Sequence, residues 1–159
     1  MVPPLGRPLY LGGMATRPLH VIATSCAGTL TALETARHIA VERRTPVVLL
    51  VPRVVSFTRS LDQPDEDPVA IAESYRTIVD QSGIAANVRV CFCREPHDVF
   101  GRLLIDDADV VVGGPRGRWW PSPEERLARR LTAEGHHVTF ADVEAAPRAD
   151  LSRCEPASV

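Results

Sequence analysis

Short apolar runs alternate along the chain with longer stretches in which apolar residues recur every three or four positions. The apolar runs predict strands over 19–25, 47–51, 87–93, 108–112 and 137–141. The helical spacing predicts helices from Thr29 to Arg43, from Pro68 to Gly83, from Pro96 to Asp106 and from Pro123 to Glu134. Strands and helices therefore follow one another in strict alternation between residues 19 and 143.

This alternation is typical of a βαβ series, in which right-handed crossovers place helices on both faces of a parallel sheet. The continuous apolar run from Val47 to Val51 suits a parallel strand that is buried on both faces. We therefore predict an α/β fold with a doubly wound, five-stranded parallel sheet. The usual strand orders are 3-2-1-4-5 and 2-1-3-4-5, and ligands bind beyond the carboxyl ends of the strands, where the order reverses.

For the order 3-2-1-4-5 the reversal lies between strands 1 and 4, beside the loops 24–28 and 113–118. The second loop continues the run Asp109–Gly117, in which a buried strand breaks into the sequence GGPRG. A glycine loop followed by a helix start is how α/β proteins build a phosphate cradle, because glycine allows close approach and free N–H groups favour negative charge. The alternative is a tight turn without a ligand.

Composition narrows the class of protein. The chain has 159 residues, of which 45% are apolar and 24% charged, which fits one soluble domain. A net charge of -2 argues against a nucleic-acid binder, and no apolar run is long enough to span a membrane. We expect a flexible extension over 1–18, one domain over 19–143 and a disordered tail over 144–159, with Met1 and Met14 both open as the start.

Titratable residues suggest little catalytic chemistry. All 18 basic residues are arginine, which excludes a catalytic or P-loop lysine. The four cysteines form no C-x-x-C pair; they are Cys26, Cys91, Cys93 and Cys154. We therefore expect a reduced, cytoplasmic protein. Cys91 and Cys93 should share one buried side of a strand, and Cys26 should pack or form hydrogen bonds. We find no nucleophile–base set and no metal cluster, and we expect at most slow nucleotide hydrolysis.

The chain resembles the universal stress protein family over residues 19–143. The strongest marker is the apolar strand that runs into Gly114-Pro115-Arg116-Gly117, which matches the G-x-x-G start of the family's nucleotide motif. Pro96, which opens a helix after the third strand, and the loop Ser25–Leu30 add to the resemblance. The resemblance implies the order 3-2-1-4-5, ATP or another adenine nucleotide across strands 1 and 4, and a homodimer, which we expect to form through the last strand, His137–Ala141.

Two departures mark a divergent member with an incomplete motif. Thr24 stands where ATP-binding members have an Asp, and Gly117 is separated from Ser122 by four residues without the glycine that precedes the family's Ser or Thr. Ser122-x-x-Glu125 is also a capping box, in which side chains satisfy the free donors of their own helix. We therefore interpret Ser122 as a helix cap in preference to a phosphate ligand, and we expect weak or truncated nucleotide binding.

The resemblance and the loops together predict a set of binding residues, in which Val51 and Pro52 border the base. The set is Thr24, Ser25, Val51, Pro52, Gly114, Arg116, Gly117 and Ser122. Arg116 and Arg118 either clamp phosphate or lie exposed on a turn. Trp119 and Trp120 could stack on a base, cover the cleft or contact a partner, and burial of one ring is the simplest interpretation. The alternative function is an interaction protein with a decayed pocket.

Overall fold

The computed structural model describes residues 16–58, 60–61 and 66–145. Within these ranges the elements are β1 (Leu19–Ile22), α1 (Cys26–Arg43), β2 (Val47–Val54), α2 (Pro68–Ser82), β3 (Ala86–Cys93), α3 (Pro96–Leu103), β4 (Asp109–Gly114), α4 (Pro123–Ala133) and β5 (His137–Asp142). Most of the predicted N-terminal extension and of the predicted C-terminal tail lies outside the described residues.

The sheet is parallel throughout, and its order is β3-β2-β1-β4-β5. This confirms the predicted fold class and the order that the resemblance implied. The short strand β1 lies at the centre, where Leu19 pairs with Val47 on one side and with Asp109 on the other. All four of its residues are buried, as expected of a strand with neighbours on both edges and helices on both faces.

Two hydrophobic cores cover the two faces of the sheet. The first contains Leu33 and Ala36 of α1 and Val79 of α2, packed against the face that carries Val21 and Val111. The second contains Phe100 of α3 and Leu131 of α4, packed against Ile22, Val110 and Val112. The alternation of inward positions along each strand therefore supplies both cores at once.

Helix α1 begins earlier than the sequence predicted, and β1 ends earlier. The predicted first strand extended to Ser25, but Ser25 is the N-cap of α1, and its hydroxyl accepts a hydrogen bond from the Gly28 amide at 3.1 Å. A serine in this position competes with strand pairing because its side chain satisfies a free helix donor. The chain consequently turns into the helix directly after the buried part of β1.

Helix α2 is capped at both ends and is only partly buried. The Asp67 carboxylate accepts a hydrogen bond from the Val69 amide at 2.9 Å, and Gly83 ends the helix in the left-handed conformation. Val69, in the first turn, is 59% exposed although it is apolar. The helix packs mainly over β3, the strand at the margin of the sheet.

Strand β2 is longer than predicted and continues to Val54. Beyond Leu50 it pairs only with β3, because its partner strand β1 ends at Ile22. The amide of Ala23 bonds to the carbonyl of Leu50, so the main-chain groups of Pro52, two residues further on, also point toward the β1 side. Proline therefore loses no ladder hydrogen bond at this position.

The cysteines divide into two kinds. Cys91 and Cys93 are free and lie beside the core under α3 and α4, which confirms that they share one side of β3, and burial raises the pKa of both thiols. Cys26, at the start of α1, is disulfide-bonded. The expectations of a fully reduced protein and of a Cys26 thiol that packs or forms hydrogen bonds are therefore wrong. In the described part of the chain no helix has the length and apolarity that crossing a membrane requires.

Two histidines are buried at the amino edge of the sheet. His20 of β1 is 6% exposed and His136, just before β5, is 9% exposed, and the Nδ1 atom of each has no hydrogen-bond partner. Burial lowers the pKa of His20, and the positive charges of Arg89 and His136 act in the same direction, against the opposing effect of Asp109. The neutral imidazole is therefore the form that the folded protein favours.

We expect the free energy of unfolding to fall as the pH drops below 6.5, the ordinary pKa of histidine. Because the folded pKa of His20 is depressed, the unfolded chain binds more protons in that range, and the stability present above it is lost. Urea unfolding of the wild type and of His20→Gln between about pH 7.5 and about pH 5 measures how the free energy of unfolding changes with pH. We expect this slope to be shallower in the variant. His38→Gln, at an exposed position of α1, is the matched control. Equal slopes for His20→Gln and the wild type would contradict this account.

Candidate functional site

The order of the strands reverses between β1 and β4, and the predicted binding loops lie together at the carboxyl edge there. From β1 the chain proceeds outward through β2 and β3, and then returns to place β4 on the other side of β1. In such sheets the adjoining loops diverge at the reversal and leave a crevice for a ligand. The loop after Ile22 and the loop after Gly114 therefore flank the candidate site.

Thr24 joins the ends of the two central strands. Its hydroxyl donates to the Gly113 carbonyl at 2.7 Å, and its amide donates to the hydroxyl of Thr29 at 3.0 Å. Thr29 is completely buried and donates in turn to the Ser25 carbonyl at 2.8 Å. The predicted ligand residue Thr24 thus uses its only side-chain donor within the protein, whereas the exposed Ser25 hydroxyl still has its proton to offer.

The first turn of α1 packs directly on the end of β4. A Cβ atom on Gly28 would lie 2.5 Å from the Gly113 carbonyl oxygen, and a Cβ atom on Gly113 would overlap the Gly28 carbonyl oxygen. Glycine at both positions allows the two backbones to meet without side chains between them. This contact fills the inner part of the crevice that the strand order creates.

The glycine loop after β4 folds back on itself and on α4. A Cβ atom on Gly114 would lie 2.6 Å from Cγ of Glu124, and one on Gly117 would lie 2.9 Å from the amide nitrogen of Ser122. The loop therefore needs glycine for its own packing, whether or not a ligand is bound.

The predicted capping box at the start of α4 is confirmed, and it includes one further donor. The Ser122 hydroxyl accepts from the Glu125 amide at 3.1 Å, and the Glu125 carboxylate accepts from the Ser122 amide at 2.9 Å. The same carboxylate oxygen also accepts from the Gly117 amide at 2.9 Å. Hydrogen bonds from Gly117 and Ser122 lower the pKa of the Glu125 carboxyl, because both favour its charged form.

Arg116 contacts carboxylates of its own chain. Its Nε atom lies 3.2 Å from Oδ2 of Asp142, and its NH1 atom lies 3.7 Å from Oε1 of Glu125. Its guanidinium also lies 5.2 Å from the centre of the Phe140 ring. Of the two alternatives for this arginine, a clamp for a ligand phosphate would have to share the guanidinium with these two carboxylates.

Comparison with known proteins identifies the fold. No protein-family model matches the chain, and no curated protein matches it at a significant level. Among solved structures, the chain is similar to a universal stress protein from Archaeoglobus fulgidus, with a TM-score of 0.58 and 21% identity over 84% of this chain and 98% of that chain. The fold is that of a universal stress protein domain. A universal stress protein in complex with cAMP is also similar, with a TM-score of 0.49 and 16% identity over 81% of this chain and 98% of that chain.

In this universal stress protein fold the tryptophans of the β4–α4 loop point to solvent. Trp119 is 85% exposed and Trp120 is 84% exposed, so the expected burial of one ring is wrong. The Glu125 hydrogen bonds to Gly117 and Ser122 close the loop beneath them. Phe57, beyond the end of β2, is also exposed and lies 5.4 Å from the guanidinium carbon of Arg94. The carboxyl edge therefore carries exposed aromatic rings on two sides of the reversal.

The remaining predicted residues lie apart from this loop. Val51 is 1% exposed and belongs to the core under α1 and α2, and Pro52 lies inside β2 instead of at its end. Sequence reasoning missed Asp142 and Phe140 as neighbours of Arg116. The predicted strand order could have indicated Asp142, because β4 and β5 are neighbours and their parallel register places Asp142 beside Gly114. Among the described residues no group of three or more His, Cys, Asp and Glu side chains is placed to hold a metal ion.

We expect Gly113→Ala to lower the free energy of unfolding by about 1–3 kcal/mol or more, as overpacking does, because the new methyl group meets main-chain atoms of α1. Gly101→Ala is the matched control, since that glycine lies within α3 with open space around it. The control should stabilise the protein by about 0.5–1 kcal/mol. Chemical denaturation of both variants measures the difference, and a neutral Gly113→Ala would show that the two backbones are not in close contact.

Proposed function

We propose that the chain is a small regulatory module of the universal stress protein type, which binds an adenine nucleoside or nucleotide weakly at the carboxyl edge between β1 and β4. The observation that carries the proposal is the exposed pair Trp119 and Trp120, on the loop that follows β4 at the reversal of strand order. Exposed indole rings cost free energy in water, and their place beside a topological reversal favours a ligand with a flat aromatic face.

The polar groups at this edge suit a ribose more than a phosphate chain. The exposed Ser25 hydroxyl and the main-chain groups after Gly114 are hydrogen-bonding partners for sugar hydroxyls. Arg118 lies exposed beside the tryptophans, where solvent screens its charge, so it adds little affinity for a phosphate. In this proposal Thr24, Gly114, Arg116 and Gly117 shape the site, and Ser122 caps α4. On the β2 side Pro52 borders the edge, and the buried Val51 supports it from within the core.

The proposed module acts by occupancy rather than catalysis. Among the described residues, neither a histidine nor a carboxylate is hydrogen-bonded to the hydroxyls of Thr24 and Ser25, so no side chain there activates a nucleophile. We therefore propose that nucleotide hydrolysis is at most slow, and that the protein works in the cytoplasm, where adenine nucleotides are abundant.

We expect adenosine, AMP, ATP and cyclic AMP to quench the intrinsic fluorescence of the protein, because its only two tryptophans lie on this loop. Trp119→Ala and Trp120→Ala should each weaken adenine binding by about 5- to 100-fold, which corresponds to about 1–3 kcal/mol of base stacking. Calorimetry supplies the dissociation constants. Val41→Ala removes an exposed apolar side chain on α1 and is the control. Millimolar ligand without quenching, heat or thermal shift would rule out the binding function.

A second candidate function is self-association through β5, and a specific observation favours it. Strand β5 pairs with β4 on one side only, and its other edge has no strand beside it within the described residues. The amides of His137 and Val143 bond to Ala108 and Gly114, so the amides of the residues between them alternate, and that of Val138 points outward. An open edge of this kind is suited to pairing with a second copy of the chain.

We expect Val138→Pro to shift a dimer toward monomer, because proline removes an outward N–H without breaking a bond to β4. Sedimentation velocity across a concentration series measures the equilibrium. Thr139→Ala keeps every main-chain donor and should leave the dimer unchanged. A dimer that persists in Val138→Pro with unchanged affinity would place the interface elsewhere.

A further inference from the structure

The glycine loop and the start of α4 already hold an oxyanion, the carboxylate of Glu125. Its Oε2 atom accepts from the amides of Gly117 and Ser122, each at 2.9 Å, and its Oε1 atom lies 3.7 Å from NH1 of Arg116. The side chain is only 13% exposed. Two main-chain donors and a guanidinium around one anion are the arrangement with which proteins also bind phosphate.

This arrangement exceeds what helix capping requires. In an ordinary capping box the acidic side chain accepts only from the N-cap amide, here that of Ser122. The additional donor, Gly117, lies eight residues before Glu125 in the chain. Because a Cβ atom on Gly117 would overlap the Trp120 carbonyl oxygen, the turn from Gly117 to Ser122 is closed tightly around the carboxylate.

We propose that Glu125 is an internal competitor for phosphate, which restricts the site to adenine ligands that place no phosphate on the glycine loop. The proposal rests on the proposed function only for the adenine part of the ligand. A phosphate on this loop would have to displace Glu125 from the same N–H groups, or approach it as a like charge. Two further carboxylates act in the same sense, because Asp142 holds Arg116 at 3.2 Å and Glu124 packs against Gly114.

The specificity of the wild type follows from this arrangement. ADP and AMP gain nothing from the loop, so we expect them to bind no more tightly than adenosine. Glu125→Ala vacates the two amides and removes one of the two carboxylates beside Arg116, which leaves Asp142 as its partner. This variant should acquire affinity for pyrophosphate that the wild type lacks. It should also bind ADP at least about tenfold more tightly than adenosine, a difference of about 1.4 kcal/mol. The gain should weaken with added salt, as a charge–charge interaction does.

The experiment is calorimetry with pyrophosphate, adenosine, AMP and ADP on wild type, Glu125→Ala, Glu125→Gln and Glu134→Gln. Glu134→Gln removes the same charge at the far end of α4, where Glu134 accepts from Arg130 Nε at 3.1 Å, and should behave as the wild type. Glu125→Gln keeps an acceptor for the capping box and should gain less affinity than Glu125→Ala. Near-ultraviolet circular dichroism verifies that each variant is folded.

Amide NMR of the wild type is a second test, which needs no variant. Pyrophosphate at neutral pH should leave the Gly117 resonance in place, and a saturable shift would overturn the proposal. Tighter binding of ADP than of adenosine to the wild type would overturn it as well, and so would a folded Glu125→Ala that does not bind pyrophosphate. If the variant gains pyrophosphate but no protein binds adenosine, the proposed function is wrong and the role of Glu125 stands.

Discussion

The direct contact between the backbones of Gly28 and Gly113 is the constraint on which the rest of the carboxyl edge depends. Strand β1 has only four residues, so α1 must begin almost at once and return across the end of β4. It does so without an intervening side chain, and the Thr24 hydroxyl fixes the approach by its bond to Gly113. The position of α1 then determines where the β1 loop ends and where the β4 loop can begin.

Internal satisfaction of donors is the common feature of the candidate site. The amides of Gly28, Gly117 and Ser122 all bond to side chains of the protein, and Arg116 bonds to carboxylates. In a phosphate-binding loop such groups stay free until the anion arrives. The edge therefore keeps the geometry of the fold while its donors are already occupied, and in our proposal this favours a ligand that is flat and weakly charged.

The sequence predicted the fold well because periodicity and capping are local properties. Continuous apolar runs separated buried strands from amphipathic helices, and Ser122 with Glu125 marked the start of α4. Exposure of Trp119 and Trp120 was not predictable, since it follows from a loop closed by a donor eight residues away. The contact of Arg116 with Asp142 depends on strand register, which a pattern along one strand does not contain.

Pro52 determines which kind of partner can bind at the edge of β2 beyond the end of β1. Strand β2 extends four residues past the end of β1, so one edge of residues 51–54 faces a gap instead of a neighbour. A bare strand edge in such a gap would invite an extended peptide to add itself to the sheet. Because proline offers no N–H there, an incoming chain would meet a carbonyl without its matching donor. The loss of this donor makes main-chain addition at this edge less favourable than at an unbroken strand edge.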